Sequence, residues 1–378
     1  MPIRPLFFAV LGMLGTALVL VYGKQIPALP IAVAGAAVFA IALCVALLLH
    51  RGKIRETLAL TAAVALGCAL LAGRFVQLDH RVRCAEEQFV GEKRQHELLV
   101  TELPQRYGVG TRAIVAVSDE THSARAAIWC YGDAAAALSV GDRILAETAF
   151  SATRGGDVYD RSLAADGIFL TGTAQNVQWI AVGEKTLTNL PARVRGAILA
   201  QSDAVFGDAS PVLRALLLGD RTQFDETLEV AVADTGVAHV FAVSGMHLTF
   251  FIGILLLFSR GRRTDFVLAL AVSLVFAALT GFTASVMRAM VVQIALFSAV
   301  LFGRQYDGLT ALSAALAILL AINPYAVADV GLQLSFASVL GILLFGRRLL
   351  GTLTAKTAQL PKWAAKPLHY VGGSLVMT

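Results

Sequence analysis

The chain has 378 residues, of which 57% are hydrophobic and only 15% are charged, and its mean hydropathy is +0.71. A soluble protein of this length needs far more charge to cover its surface, so the composition excludes an ordinary soluble domain. The formal net charge is +5, which alone does not indicate a nucleic-acid-binding surface.

Several apolar runs of about 18 or more residues predict an integral membrane protein. We predict eight spans, at residues 5–22, 28–49, 57–78, 238–258, 265–282, 285–303, 309–322 and 330–346. The first run is not expected to be a signal peptide, because a second apolar run follows almost at once. The shortest run, 309–322, is expected to be tilted, broken or packed inside the bundle.

Lysine and arginine are concentrated in alternate loops. HRGKIRE (50–56), SRGRR (259–263) and GRRLL (346–350) are basic, whereas GFTAS (281–285) and NPYAVAD (323–329) carry no lysine or arginine. The positive-inside rule then places the N-terminus in the cytoplasm and residues 79–237 outside. The net charge of +5 reflects this topology more than a surface for nucleic acid.

The external segment contains short runs with alternating apolar residues. They are HELLVTEL, GTRAIVAV, ARAAIWCY, GDRILAETAF, GIFLTGTA and NVQWI, between residues 96 and 180. Five or six short strands in about 85 residues predict a small barrel, and the OB type is among the candidates. Aromatic residues are few and acidic residues slightly outnumber basic ones, so a structural role or a weak contact surface is favoured over strong DNA binding.

Two cysteines, Cys84 and Cys130, lie in this external segment. An isolated pair in an oxidising compartment predicts a disulfide, and two free, buried thiols are the alternative. Residues 190–236 follow, with apolar residues at helical spacing and charges between them, which predicts amphipathic helices at the outer membrane surface. Ser210-Pro211 is predicted to start one of them, with Ser210 as the N-cap.

The stretch HVFAVSGMH (239–247) brings polar residues to the head of a long apolar run. Ser244 and His247 are three positions apart and share a helix face, while Gly245 permits close backbone approach. Two interpretations stay open: a face for tight helix packing, or part of a passage for a polar substrate.

Three further polar residues lie near the outer ends of later spans. Arg288 either extends to the outer surface or lines a path for an anionic substrate. Asp329 and Gln333 are four positions apart on one helix face, and our hypothesis is that they pair with Arg288.

Two kinds of catalytic site are not favoured. Ser244-Gly245 is similar to the serine motif of rhomboid proteases, but none of the seven histidines lies in spans five to eight, where a partner is expected. No H-E-x-x-H or paired C-x-x-C motif is present either. We therefore predict no catalytic residues, no metal site and no cofactor.

Three ordered motifs carry a resemblance to a known family. The first is LLLGDR (216–221, with Gly219, Asp220 and Arg221) followed by ADTGVAHVFAVSGMHL; the others are TASVMRA (283–289) and NPYAVADVGLQLSFASVLGI (323–342). In this order they resemble the ComEC family, the inner-membrane DNA channel of natural transformation.

The resemblance implies a polytopic α-helical membrane protein with an inserted, small all-β (OB-like) extracytoplasmic domain. We expect N-terminal transmembrane helices over 1–78, the β domain over 79–188, amphipathic interfacial helices over 189–237 and a competence-type bundle over 238–378. The resemblance also implies transport of single-stranded DNA into the cytoplasm, an external DNA-receptor protein and a cytoplasmic ATP-driven translocase. Lipid is the surrounding partner.

A channel for a polyanion needs small and polar groups with few fixed charges that would trap phosphates. The residues predicted to line it, or to belong to its motifs, are His239, Ser244, Gly245, His247, Arg288, Gln293, Asn323, Asp329, Gln333 and Ser335. The rival functions are a small-solute or lipid transporter and a membrane scaffold.

Family members usually continue with more membrane helices and a metallo-β-lactamase-like domain that is thought to act as a nuclease. This sequence ends at YVGGSLVMT. We therefore expect a truncated bundle, no enzymatic activity in these residues, and a missing C-terminal part or a nuclease on another chain.

Overall fold

The computed structural model describes most of the chain. The described residues are 4–23, 28–48, 52–107, 110–119, 122–132, 137–153, 158–183, 190–235, 245–257, 261–282, 284–303 and 305–346. His239 and Ser244 lie outside these ranges, so their predicted roles are not addressed by the structure.

Three helices form the N-terminal part: α1 (Pro5–Tyr22), α2 (Ala28–Leu48) and α3 (Gly52–Phe89). α3 has 38 residues, so it is about 57 Å long and much longer than the roughly 30 Å apolar core of a bilayer. The predicted domain boundary at residues 78 and 79 falls inside this helix. Helix α3 therefore continues from the apolar run into the β domain, and we call the part of it from Arg74 to Phe89 the stalk.

Glycines allow α1 and α3 to pack with their backbones close together. A Cβ atom on Gly67 would overlap the carbonyl oxygen of Ala9, and one on Gly12 would overlap that of Val64. Gly73, further along α3, has open space around its Cα. Small residues at such a contact are the usual device for close helix packing in membranes.

The β domain has six strands within the described residues: β1 (Arg94–Val100), β2 (Gln105–Tyr107), β3 (Gly110–Ser118), β4 (Ser123–Tyr131), β5 (Arg143–Ala152) and β6 (Leu170–Ala181). Their order is β1-β5-β6-β4-β3-β2, and β1 also pairs with β3. That extra pairing closes the five longer strands into a barrel, as the sequence predicts. β4 and β6 are parallel, and the other pairs are antiparallel.

The barrel core is apolar and includes the end of the stalk. Ala85 and Phe89 of α3 pack with side chains that point inward from the strands, among them Leu98, Ile128 and Ile144. The alternating pattern of each strand directs these residues into the barrel. The stalk therefore cannot move without disturbing the barrel.

The structure differs from the sequence prediction at two places in this domain. The segments GIFLTGTA and NVQWI form one strand, β6, in which Asn176 has φ of 52° beside an irregularity between Leu145 and Glu147 of β5. Asparagine tolerates this left-handed conformation, so the strand continues through it as a bulge. Helix α4 (Val158–Ala165), between β5 and β6, was not predicted.

The predicted disulfide is wrong for this structure, because Cys84 and Cys130 are both free thiols. Cys130 is fully buried in the barrel core, where burial raises the pKa of its thiol to about 11. The Sγ atom of Cys84 lies 3.7 Å from Nδ1 of His80, one turn earlier on α3. Ala85, the next residue, faces the barrel core.

Three helices follow the barrel: α5 (Leu190–Phe206), α6 (Ser210–Leu218) and α7 (Glu226–Asp234). The predicted N-cap is wrong, because a 3₁₀ turn over Gly207–Ala209 runs directly into α6 and Ser210 is already helical. The Ser210 hydroxyl instead donates a hydrogen bond to Asp203 of α5. The interfacial placement of these helices stays a prediction.

The remaining helices form a bundle: α8 (Gly245–Leu256), α9 (Arg262–Leu279), α10 (Ala284–Leu301), α11 (Gly308–Ile322) and α12 (Val330–Gly341). A 3₁₀ turn, Pro324–Ala328, joins α11 to α12, and a π turn, Ile342–Gly346, ends α12. α11 has only 15 residues, and its buried side chains pack against α1 and α12. The shortest predicted span is therefore packed inside the bundle.

Within the described residues, two helical segments are long and apolar enough to cross a membrane, Pro5–Tyr22 and Glu56–Phe89. Shorter apolar helical segments of 10–17 residues are Pro30–Ala42, His247–Leu256, Val286–Leu301, Gly308–Ile322 and Val330–Gly346. At one end of the bundle Arg4 and Asp307, the residues before α1 and α11, form a salt bridge of 3.0 Å. The barrel lies at the other end, beyond α3.

Candidate functional site

The centre of the bundle site is the contact between α8 and α10. A Cβ atom on Gly245 would lie 2.9 Å from the Cβ of Ala289 and 3.8 Å from a terminal nitrogen of Arg288. Any larger side chain at Gly245 would therefore push α8 away from α10. Gly245 therefore permits close helix packing, which is one of the two interpretations left open for this motif.

Arg288 lies between α8 and α12 and is only partly exposed. One terminal nitrogen, Nη1, donates a 3.3 Å hydrogen bond to the carbonyl oxygen of Ser335, and the guanidinium lies 5.9 Å from the ring centroid of Phe336. Its Nε is buried without a hydrogen-bond partner, and it has no carboxylate partner among the residues that the structure describes. The cation thus keeps unused donors inside an apolar bundle.

A second polar contact joins the same two helices further along. The amide nitrogen of Gln293 on α10 donates a 2.8 Å hydrogen bond to the Thr249 hydroxyl of α8. Thr249 in turn donates to the carbonyl oxygen of Gly245, one turn earlier. His247 is half-buried on the same helix. The predicted residues Gly245, His247, Arg288 and Gln293 therefore belong to one pair of helices.

The hypothesis that Asp329 and Gln333 pair with Arg288 is wrong in this structure. Asp329 is the N-cap of α12, where its carboxylate accepts hydrogen bonds from the backbone N–H groups of Gly331 and Leu332. Gln333 donates to the carbonyl oxygen of Val327, at 2.7 Å. A carboxylate at an N-cap is already satisfied by the helix, so it does not need the guanidinium.

Both polar atoms of the Asn323 side chain make hydrogen bonds within the protein. Its side-chain nitrogen donates to the carbonyl oxygens of Ala164 and Ala165, the last two residues of α4, at 2.9 and 2.8 Å. Its side-chain oxygen accepts from the backbone N–H of Tyr325 at 3.0 Å. The residue therefore connects the β-domain insertion to the turn between α11 and α12.

The L-L-L-G-D-R motif ends α6 and contributes Asp220 to a buried ion pair. Gly219 takes the left-handed conformation (φ 67°) that ends many helices. The carboxylate of Asp220, 5% exposed, pairs with the guanidinium of Arg214, which is 8% exposed, through an Nε–Oδ2 hydrogen bond of 2.9 Å. The Thr222 hydroxyl donates to the other oxygen of Asp220 at 2.8 Å.

Arg214 has a second carboxylate partner on α5. One of its terminal nitrogens, Nη1, lies 2.9 Å from Oδ2 of Asp203. The hydrogen bond from Ser210 and the contact with Arg214 hold the pKa of Asp203 below its usual range. Arg221, by contrast, is exposed and lies over the Phe224 ring, with 5.5 Å from its guanidinium carbon to the ring centroid.

Sequence reasoning missed two residues of this arrangement, Asp203 and Arg214. It also missed Arg74 of α3, whose guanidinium donates to the carbonyl oxygens of Ala321 and Ile322 at the end of α11. The available signals are a cation within the apolar run 57–78 for Arg74, and the Ser202-Asp203 pair ahead of Ser210-Pro211 for Asp203. No group of three or more metal-ligating side chains occurs in the described ranges. The polar contacts of the site hold helices together. Arg288 in addition keeps guanidinium N–H groups that have no partner among the described residues.

Comparisons with known proteins support the same part of the chain. Residues 216–377 match the family model described as Competence protein. ComE operon protein 3 of Bacillus subtilis (strain 168) is 30% identical over 143 residues, which are 36% of this chain and 18% of that protein. The matched part thus spans less than a fifth of the relative's length. No solved structure gives a significant match.

The matched residues include the L-L-L-G-D-R motif, the S-G-M-H helix, Arg288 and the N-P turn, which are the motifs on which the resemblance rests. The resemblance is confirmed over this part of the chain: residues 216–377 are similar to the Competence protein family, to which the ComEC motifs belong.

Proposed function

We propose that this chain belongs to a multi-pass protein of the bacterial inner membrane that passes single-stranded DNA into the cytoplasm during natural transformation. The observation that carries the proposal is Arg288 in the Competence-family domain. Its guanidinium keeps free donors in an apolar bundle and has no carboxylate partner in the described residues. A cation with unused donors is suited to a phosphate that passes by.

The surface of the helices supports their placement in lipid. Large apolar side chains point outward from α2, α3, α8, α9 and α12, and each is more than half exposed: Val33, Ile41, Leu70, Phe250, Val267, Val275 and Leu334. Water would disfavour this much apolar surface, whereas acyl chains accept it. We therefore assign α1–α3 and α8–α12 to the membrane.

The ends of the helices support the orientation predicted from the basic loops. Arg4 and Asp307 meet at one end, beside the ends of the helices that carry the basic loops. Asp79 and the barrel lie at the other end of α3. The first end is cytoplasmic in our proposal, and residues 79–237 are extracytoplasmic.

The barrel is of the OB-like type in our proposal. Five closed strands that combine antiparallel pairs with one parallel pair, β4 with β6, support this assignment. The partners that we propose follow from the family: a DNA-receptor protein outside, an ATP-driven translocase inside, and further channel segments or a nuclease that complete the machinery.

The polar path in our proposal follows the contact between α8 and α10. Gly245 allows close approach, Arg288 supplies donors for phosphate, and Gln293 with Thr249 supplies neutral polar groups one to two turns further. One partly buried cation among neutral groups suits passage of a polyanion better than tight binding. Asn323 and Asp329 serve the fold and are not part of this path.

The test uses a naturally transformable strain in which the gene is deleted and then restored. We expect the deletion to abolish transformation, the wild-type gene to restore it and Arg288→Gln to fail at normal membrane levels of the protein. Arg263→Gln, which removes an exposed cation at the start of α9, is the matched control and should transform normally.

The rival functions give different results in the same strain. Normal transformation in the deletion strain would remove the proposal and leave a transporter of small solutes or lipids. Restoration by a protein with its barrel intact but with both Arg288→Gln and His247→Ala would indicate a scaffold, because a scaffold does not need polar groups in the bundle.

A further inference from the structure

The 3₁₀ turn Pro324–Ala328 is the place where the β domain meets the bundle. It lies against the C-terminal ends of α4 and α11 and against the middle of α3. The last carbonyl groups of a helix have no partner within that helix and need one from elsewhere. The carbonyl groups at the ends of two helices accept hydrogen bonds from side chains of other elements at this junction.

The first of these ends belongs to α4, in the β domain. Its last two carbonyl oxygens, at Ala164 and Ala165, accept hydrogen bonds from the amide nitrogen of Asn323 at 2.9 and 2.8 Å. The amide cannot turn over freely, because its oxygen accepts from the backbone of Tyr325. The position requires a side chain that donates to the end of α4 and accepts from the backbone N–H of Tyr325, and asparagine has both groups.

The second end belongs to α11, in the bundle. Nε of Arg74 donates to the carbonyl oxygen of Ala321 at 2.7 Å, and Nη2 donates to that of Ile322 at 3.0 Å. Arg74 lies at the start of the stalk, the part of α3 that carries the barrel. A cation at a helix C-terminus is also favoured by the helix dipole. The stalk thus holds α11, while the residue after α11 holds α4.

An aromatic contact lies beside Asn323 at the same junction. The ring of Tyr325, 5% exposed, lies 5.3 Å from that of Phe75 on the stalk and 5.6 Å from that of Phe169 next to β6. A buried aromatic cluster of this kind adds its own packing energy to the hydrogen bonds of Asn323. The junction has the features of a fixed attachment.

The same turn determines where α12 begins. Asp329, the residue after it, caps α12, and the Ser335 carbonyl of α12 accepts the hydrogen bond from Arg288. A displaced turn would therefore move the carbonyl that orients Arg288. The turn thus contacts the β domain on one side and, through α12, the carbonyl group that binds Arg288 on the other.

We infer that Asn323 is a positioning residue, which fixes the extracytoplasmic barrel on the outer ends of α11 and α12 so that Arg288 is oriented for DNA import. This inference rests on the proposed function. It gives a structural reason for the N-P motif that a role in lining the channel does not give.

The test measures attachment and import in the same protein. Asn323→Asp replaces the donating amide by an acceptor that faces two carbonyl oxygens, so we expect transformation to fall roughly tenfold or more, as for the loss of two ordinary hydrogen bonds. Asn176→Asp, at the bulge of β6, is the matched control and should transform normally.

A second variant separates attachment from misfolding. Ala165→Cys together with Asn323→Cys should show the same loss of transformation, and a short reducible bis-methanethiosulfonate linker should join the two thiols and restore transformation. Reductant should remove the restored activity. Asn323→Cys alone, treated identically, should stay low.

Three results would overturn the inference. They are failure of the linker to join the two cysteines in a protein at normal membrane level, unchanged transformation in the unlinked double variant, and no recovery after complete linking. If instead the gene deletion leaves transformation normal, the proposed function fails, while efficient linking would still show that the barrel is attached at this place.

Discussion

Arg214 offers the most direct test of what holds the L-L-L-G-D-R motif together. Arg214→Met keeps the length of the side chain but removes both ion pairs, leaving the buried carboxylate of Asp220 with Thr222 as its remaining side-chain partner. Breaking a buried ion pair by removing one partner costs about 3–5 kcal/mol. We therefore expect the free energy needed to open the turn after α6 to fall by that amount.

The opening can be measured through a buried residue beside the turn. Leu218 is 6% exposed, so a cysteine placed there by Leu218→Cys reacts with a thiol reagent only when the turn opens. Because about 1.4 kcal/mol corresponds to a factor of ten, Arg214→Met should raise the alkylation rate by roughly a hundred-fold to a few thousand-fold.

Two further variants define the interpretation. Arg221→Ala, which removes the exposed cation of the same motif, should change the rate by less than about threefold, as expected for a surface contact. Arg214→Met with Asp220→Leu should recover much of the loss, because the buried carboxylate at position 220 is removed together with its partner, while Asp203 is largely exposed. An unchanged rate in Arg214→Met would refute the reasoning that the pair holds the turn.

Three other predictions concern α3 and the barrel. Gly67→Ala should prevent α1 from packing on α3 and lower the midpoint of thermal aggregation in detergent, whereas Gly73→Ala should not; equal midpoints would contradict the close contact. Burial lowers the pKa of His96, so the folded chain binds its proton less readily than the unfolded chain does. The contribution of neutral His96 to the free energy of unfolding should therefore be fully present above about pH 6.5 and should fall as the pH decreases below it. The thermal midpoint should be lower at pH 5 than at pH 7.5, and His96→Gln should reduce this difference. Without reductant, both Cys84 and Cys130 should be alkylated in denatured protein, while Cys130 should resist in the native protein; a band that shifts on reduction would instead show a disulfide.

The barrel could be located from the sequence because its inward residues alternate with a period of two. Alternation identifies a strand but not its partners, so closure through β1 and β3 and the short β2 could not be derived from it. The interruption at Asn176 suggested a turn, yet the residue continues a strand in the left-handed conformation. Local preferences alone do not distinguish these two outcomes.

The bundle motifs could be recognised from the sequence, but their roles depend on contacts across long separations. Asn323 is paired with residues 158 and 159 positions earlier, and Arg74 with carbonyl groups 247 and 248 positions later. A polar residue in an apolar region predicts a site without indicating its partner. Arg288 is partly buried in the bundle, and the carboxylate expected to pair with it, that of Asp329, caps a helix instead.

We propose that DNA reaches the cytoplasm through this bundle with the help of Arg288. The most direct measurement is labelled DNA that has become resistant to external nuclease in cells carrying either the wild-type gene or Arg288→Gln. We predict that the variant binds as much DNA outside as the wild type but that its internalised label falls close to that of the deletion strain. Equal internalised label in wild-type and Arg288→Gln cells would contradict the account.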